Sequence, residues 1–155
     1  MIHYLATFFI SMLPIVELRG AIPLGYYMFE LPIWPVVLVS VLGNLLPIPF
    51  LILFGGAVLR WLAKFPTIGK PFRWILSLGE KKVSKMHKAI FLGLFLFVAI
   101  PLPGTGAWTG SLAAITLRQD LKHAFPPIAL GVLCAGAIIL VLFYYFPQLF
   151  LQMFG

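Results

Sequence analysis

Two charged residues interrupt an otherwise apolar stretch near the start of the chain, Glu17 and Arg19. An ionisable group at mid-bilayer costs about 2.5–3.5 kcal/mol on insertion scales, so such groups are rare and usually functional. A carboxylate there can bind and release a proton, and a guanidinium can hold an anion. Two positions apart, the side chains diverge by about 200° on a helix but share one side of an extended segment. Pro14, Gly20 and Pro23 surround them. Proline removes a donor and glycine admits unusual dihedrals, so these residues predict an unwound stretch with both heads facing one cavity. The competing reading is that the two pair with each other, or with backbone carbonyls, only to hold a turn.

Two further groups could meet them. Asn44 lies just before Pro47 and Pro49. Its amide donates and accepts, and the prolines free backbone carbonyls, which suits a substrate or an ion; a kink that only serves packing is the alternative. The run Pro101-Leu102-Pro103-Gly104-Thr105-Gly106, followed by Trp108 and Thr109, offers backbone amides and two hydroxyls. A helix starting near Gly106 would turn its positive end toward an anionic group, unless the small residues serve close helix packing.

Other chemistry finds little support. Hydrolysis needs a nucleophile with a base, or a metal. Ser11 and Ser40 have no evident base, and His3, His87 and His123 are too far apart for a ligand set. Cys134 is the single cysteine, so no intrachain disulfide is expected. The expectation is a protein that is not an enzyme and carries no metal or cofactor.

The setting of these residues is a membrane. Of the 155 residues, 62% are hydrophobic and 10% charged, where soluble domains average roughly 45–50% and 25%. Mean hydropathy is +1.07. The surface of a soluble domain could not be covered with so few polar groups. The first basic residue is Arg19, so the N-terminal segment lacks the basic start of a removable signal and is expected to remain in the fold.

Four apolar stretches are expected to be helical: residues 4–29, 33–59, 89–117 and 125–146. The second and fourth are long enough to cross a hydrocarbon core of about 30 Å, and each starts beside prolines, as helix starts permit. The first and third are broken midway. The apolar halves before the breaks, residues 3–13 and 90–100, would each reach roughly 16 Å, half the membrane. They read as re-entrant hairpins or, alternatively, as two more spans. Charge favours hairpins. Eight of the eleven basic residues lie between Arg60 and Lys88, with Arg118 and Lys122 in a second group. Hairpins put both groups on the cytoplasmic side, as the positive-inside rule asks.

The expected fold is therefore an all-α integral membrane domain over residues 1–155, with an inverted repeat of re-entrant hairpin plus transmembrane helix. Repeat one is 1–60, a basic cytoplasmic linker is 61–88, and repeat two is 89–155. In the linker, Phe72, Ile75, Leu76, Val83, Met86 and Ile90 recur at helical spacing between lysines. That pattern predicts an interfacial amphipathic helix over anionic lipid, with Trp61 and Trp74 at the aromatic belt; a merely solvated loop is the alternative. The basic run is not expected to bind nucleic acid. Unwound backbone must not face lipid, so a homodimer burying the hairpin tips is expected, in the inner (cell) membrane.

Together, Glu17-Leu18-Arg19-Gly20-Ala21-Ile22-Pro23, Gly43-Asn44-Leu45-Leu46-Pro47-Ile48-Pro49 and Pro101-Leu102-Pro103-Gly104-Thr105-Gly106-Ala107-Trp108 resemble the small multidrug export protein family. That family is similar to the DedA superfamily, whose paired hairpins carry acidic and basic residues implicated in proton-coupled movement of lipid-linked phosphates or phospholipids. The resemblance implies that Glu17 takes the proton and Arg19 faces the anion. Three functions stay open: a transporter of an amphipathic or lipid-like solute, proton-coupled through Glu17; a flippase for polyprenyl-phosphate or phospholipid head groups; and a non-transporting structural membrane subunit. The topology is testable directly. A tag on Met1 is expected to be reachable only from outside the cell, and labelling only from the cytosol would replace the hairpins with spans.

Overall fold

The computed structural model describes residues 1–62, 64, 87–102 and 104–145. The described residues form helices and short links, with no strand among them. In chain order the helices are α1 (Ile2–Ser11), α2 (Glu17–Pro23, running on into a π turn at Leu24–Met28), α3 (Ile33–Leu45), α4 (Pro47–Leu62), α5 (His87–Ala99), α6 (Ala107–Thr116) and α7 (Leu121–Tyr145). The expected amphipathic helix of the basic linker falls mainly on residues outside those described; of its apolar stripe only Ile90 is described, within α5.

Two helical stretches are long enough to cross a bilayer. Ile33–Trp61, comprising nearly all of α3 and α4, has 29 residues at mean hydropathy 2.4, and α7 has 25 residues at 2.5. At 1.5 Å per residue both exceed the hydrocarbon thickness of about 30 Å. Leu46 marks a bend, not an end. Pro47 cannot donate to the Gly43 carbonyl, nor Pro49 to that of Leu45, yet Leu46 N–H still reaches the Leu42 carbonyl at 3.2 Å. Both prolines fall in the first turn of α4, where a missing donor costs least.

Helix boundaries depart from the sequence reading at two places. Pro126 and Pro127 do not start the last helix; they lie inside α7, which begins at Leu121. The carbonyls they leave without a helical donor belong to Lys122 and His123, both exposed, and His123 and Ala124 N–H tie the new start to the Asp120 carbonyl. Gly20 and Pro23 do not break the first segment. They are helical, within α2, and the non-helical link covers 12–16, around Pro14. Gly20 N–H donates to Val16 at 2.9 Å, and a glycine in a helix costs only about 1 kcal/mol. Pro23 is absorbed because the chain widens just after it into the π turn, a common way to accommodate a lost helical bond.

Contacts along the helices fix their directions. A Cβ on Gly25 would come within 2.9 Å of Val36 and 3.1 Å of Thr7, and Ser11 Oγ donates to the Ser40 carbonyl. So α1 runs parallel to α3, and α2 returns antiparallel to both. His3 stacks on Phe29 at 5.0 Å, so the first segment ends where it began. Tyr26 lies against Phe143 at 4.4 Å and Trp34 near Tyr144 at 6.4 Å, gathering aromatic rings at this end. At the other end Lys88 of α5 and Lys122 and His123 of α7 line one depression with Gln119. The third segment also closes back on its own starting end. α5 packs along α7, and α4 against α6.

Burial is inverted relative to a soluble protein. Leu38, Leu42, Leu53 and Leu133 point outward and are more than half exposed, while Thr7, Ser11, Glu17, Ser40, Asn44 and Ser111 are buried. Leaving one large aliphatic side chain in water forfeits about 1.5–3 kcal/mol, and dozens are exposed here. Hydrocarbon is the solvent that removes this penalty, and it leaves the interior as the place for polar groups. The chain is a membrane protein. Its helices approach closely through small residues, as apolar surroundings require: the backbone of Phe8 occupies the place of a Gly43 side chain, and Val41 lies 2.9 Å from where a Gly136 Cβ would be. Gly136→Leu is therefore expected to cost roughly 1–3 kcal/mol by overpacking against α3, whereas Leu133→Ala, at 51% exposure, should change little. Thermal unfolding of both in detergent micelles checks the difference.

Candidate functional site

The site forms where the two non-helical links meet at mid-height, the first between α1 and α2, the second between α5 and α6. Glu17 is 6% exposed, and its backbone adopts φ 51°. That left-handed geometry costs an L-residue roughly 1–2 kcal/mol. What it makes possible is reach: Glu17 Oε1 accepts the Trp108 N–H at 3.1 Å, with the Ala107 N–H directed at the same carboxylate. These amides open α6, where the first turn of a helix has no internal acceptors and carries partial positive charge. A bond to a charged acceptor contributes about 1.5–3 kcal/mol net, enough to offset the strained backbone. The carboxylate of one segment thus caps the helix of the other.

Gly106 makes room for this. Its φ of 143°, with ψ −168°, belongs to a region open essentially to glycine alone. A Cβ there would also overlap the Glu17 carboxylate. Two independent constraints therefore exclude a side chain at this position.

Arg19 lies two residues on and reaches the same link by a different route. Its Nη1 donates to the Leu102 carbonyl, and its Nη2 donates to Thr105 Oγ1 at 2.8 Å. The Thr105 hydroxyl is within 2.8 Å of the Ile100 carbonyl and 2.9 Å of that of Leu102, so it passes the contact on to the end of α5. A third tie runs the other way, with Trp108 Nε1 donating to the Met12 carbonyl at 3.0 Å.

The residues singled out from sequence distribute as follows. Glu17, Arg19 and Thr105 come together with the Gly106–Trp108 backbone. Pro14 lies in the first link, and Pro101, Gly104 and Gly106 in the second; Pro103 lies outside the described residues. Thr109 does not join: its hydroxyl donates to the Gly106 carbonyl at 3.3 Å, within its own helix. Asn44 is fully buried on α3, with neither amide atom hydrogen-bonded. Sequence reasoning missed the part played by Trp108, whose backbone holds Glu17 and whose indole holds Met12. A tryptophan two residues after the glycine at which a helix starts was the available signal. The site also has an apolar side. A groove of about 660 Å3 runs between α4 and α6, and Met12 and Trp108 form part of its lining beside Phe50, Phe54 and Leu112. Among the described residues no group of three or more His, Cys, Asp or Glu is placed to hold a metal ion.

No curated protein and no solved structure matches the chain. The family described as "Putative small multi-drug export protein" matches residues 17–138, from the site carboxylate to well inside α7. That is well over half of the 155 residues, and with the buried carboxylate capping α6, the Arg19 contacts, the first long apolar helix and most of the second inside it, the chain belongs to this family of membrane proteins.

Proposed function

We propose that the protein is a secondary transporter of an amphipathic or lipid-like solute, coupled to protons through Glu17. One observation carries the reading: the carboxylate is buried at mid-height and held by backbone amides of a different segment. A fixed positive helix end attracts the ionised carboxylate more than the protonated one. Proton binding at Glu17 therefore loosens the link between the two segments, and proton release restores it. A proton equilibrium becomes an equilibrium between joined and parted links, the coupling that a secondary transporter needs. The apolar groove that begins at Trp108 supplies the other half, a surface for the hydrophobic body of a solute whose polar end lies toward Glu17 and Arg19.

The membrane arrangement we propose is a pair of re-entrant hairpins, α1–α2 and α5–α6, each followed by a span, in inverted repeat. Supporting it, each hairpin closes at the end where it opened, one at the aromatic end and the other beside Lys88 and Lys122. On the positive-inside rule the basic end is cytoplasmic. Lysines of the linker would then rest on anionic lipid of the cell membrane, and a second copy of the chain would shield the links from hydrocarbon.

A flippase for phosphate-bearing head groups is the second reading, favoured by Arg19 beside a helix N-terminus. In the present arrangement, however, Glu17 occupies that helix end and Arg19 is engaged by Leu102 and Thr105, so a head group would have to displace both. The two readings separate in proteoliposomes carrying an imposed pH gradient. Glu17→Gln is expected to reduce gradient-driven movement of an amphipathic fluorescent dye by about tenfold or more while the protein remains folded; unchanged coupling removes the proton role. Loss of anionic-lipid binding in Arg19→Ala, with dye movement retained, would favour the flippase.

A further inference from the structure

Asn44 is the single asparagine of the chain. It is 0% exposed, and both its Nδ2 and its Oδ1 lack a hydrogen-bond partner, as does the Ser40 Oγ one turn earlier on α3. Leaving a buried polar group unmade costs about 1–3 kcal/mol, and a leucine would fill similar space without that cost. A group able to satisfy this amide must donate and accept at once.

The helix geometry identifies one. Gly25 meets Val36 where α2 and α3 run antiparallel. Eight residues back, through the start of the π turn and all of α2, lies Glu17; eight residues on along α3, about 12 Å, lies Asn44. The two are level. Asn44 also points into the gap between α1 and α7. Taking Val36 as zero and about 100° per residue, Gly43 falls at about −20°, Ser40 at about 40°, Asn44 at about 80°, Val37 at about 100° and Val41 at about 140°. Gly43 faces α1 through Phe8 and Ser11, and Val37 and Val41 face α7 through Gly136. Asn44 lies between these directions, nearer that of α7, and α2 packs against α1, α3 and α7 alike.

We propose that Asn44 is the second resting place of the Glu17 side chain, occupied when the carboxyl is protonated. This rests on the reading of Glu17 as the coupling residue and adds where the group goes. Ionised, the side chain accepts from Trp108 N–H at the head of α6. On taking up a proton it becomes a donor as well as an acceptor. Its O–H then donates to Asn44 Oδ1 and its C=O accepts from Asn44 Nδ2, a closed two-bond pair that an ionised carboxylate cannot make. The link to α6 is given up in the same step. Arg19 is the charged group facing the carboxylate. The described helices packed around it add little: α3 and α6 carry no titratable side chain, α1 has His3 and Tyr4 at the aromatic end, and α7 has Tyr144 and Tyr145 at that same end, Lys122 and His123 at the basic end and the half-buried Cys134 between.

Because Asn44 is unique, isotope-labelled asparagine places one reporter in the full-length wild-type chain. Solid-state NMR in lipid bilayers should show the Asn44 side-chain amide signals move on acidification, together with the Glu17 carboxyl carbon in glutamate-labelled protein, the latter identified by its loss in Glu17→Gln. The neutral amide of Glu17→Gln donates and accepts as the protonated acid does, so this variant should show the acid position of Asn44 already at neutral pH and no further response to acid. A Glu17 signal that titrates while Asn44 stays still in both proteins overturns this inference alone. A Glu17 signal that never titrates overturns the coupling role and this inference with it.

Discussion

The bond between the Glu17 carboxylate and the first amides of α6 ties the two non-helical links together. Without it the two segments have only Arg19 and Trp108 to join them, and both of those reach main-chain carbonyls in links with little structure of their own. With it, three unfavourable features support one another. A buried charge gains backbone donors, a helix end gains an acceptor, and a left-handed residue gains an interaction stronger than its strain. Each is costly alone, and each is offset in part by the others in the assembled site. Strain at a site that is over-determined by its surroundings commonly marks function, which is why the same bond serves as the natural point of control.

The environment sharpens this arrangement. In hydrocarbon, burial of apolar surface supplies no drive to bring helices together, so close packing at small residues and interior hydrogen bonds must do so. Gly25, Gly43 and Gly136 let α2, α1 and α7 close on α3, and α3 becomes the axis against which the first segment and the last helix are both measured. The polar interior then has to be satisfied group by group. Ser11, Thr105 and Trp108 achieve this with backbone carbonyls. Asn44 does not, nor does the Ser40 hydroxyl one turn before it, and this unmet pair of neighbours on α3 is what makes the position informative.

Much of this was legible in the residues before any coordinates. Composition alone indicated the membrane, because the requirement for polar surface scales with area and the chain could not meet it. Glu17 and Arg19 stood out for the same reason, as charges where charge is expensive, and the start of α6 beside Gly106 followed from helix-terminus rules. Local breaks were read less well. Gly20 and Pro23 looked disruptive in isolation, but a seven-residue helix ending in a π turn tolerates both. Pro126 and Pro127 looked like a start, but the exposed Lys122 and His123 let the helix begin a turn earlier. Thr109 looked available, but a hydroxyl three residues from a carbonyl in its own helix has a nearer partner. The Trp108 contacts were invisible because they join segments about ninety positions apart through backbone atoms.

That last property has an evolutionary corollary. Toward Arg19 and the indole, Leu102 and Met12 offer only carbonyl oxygens, and Trp108 receives Glu17 only through its amide, so almost any residue could stand at 12 or 102 without changing these hydrogen bonds. Substitutions there would leave no compensating trace in Arg19 or in the indole. Across descendants of this chain the meeting of the two links would persist with few correlated pairs to reveal it, and its most readable imprint would be the unvarying absence of a side chain at Gly106.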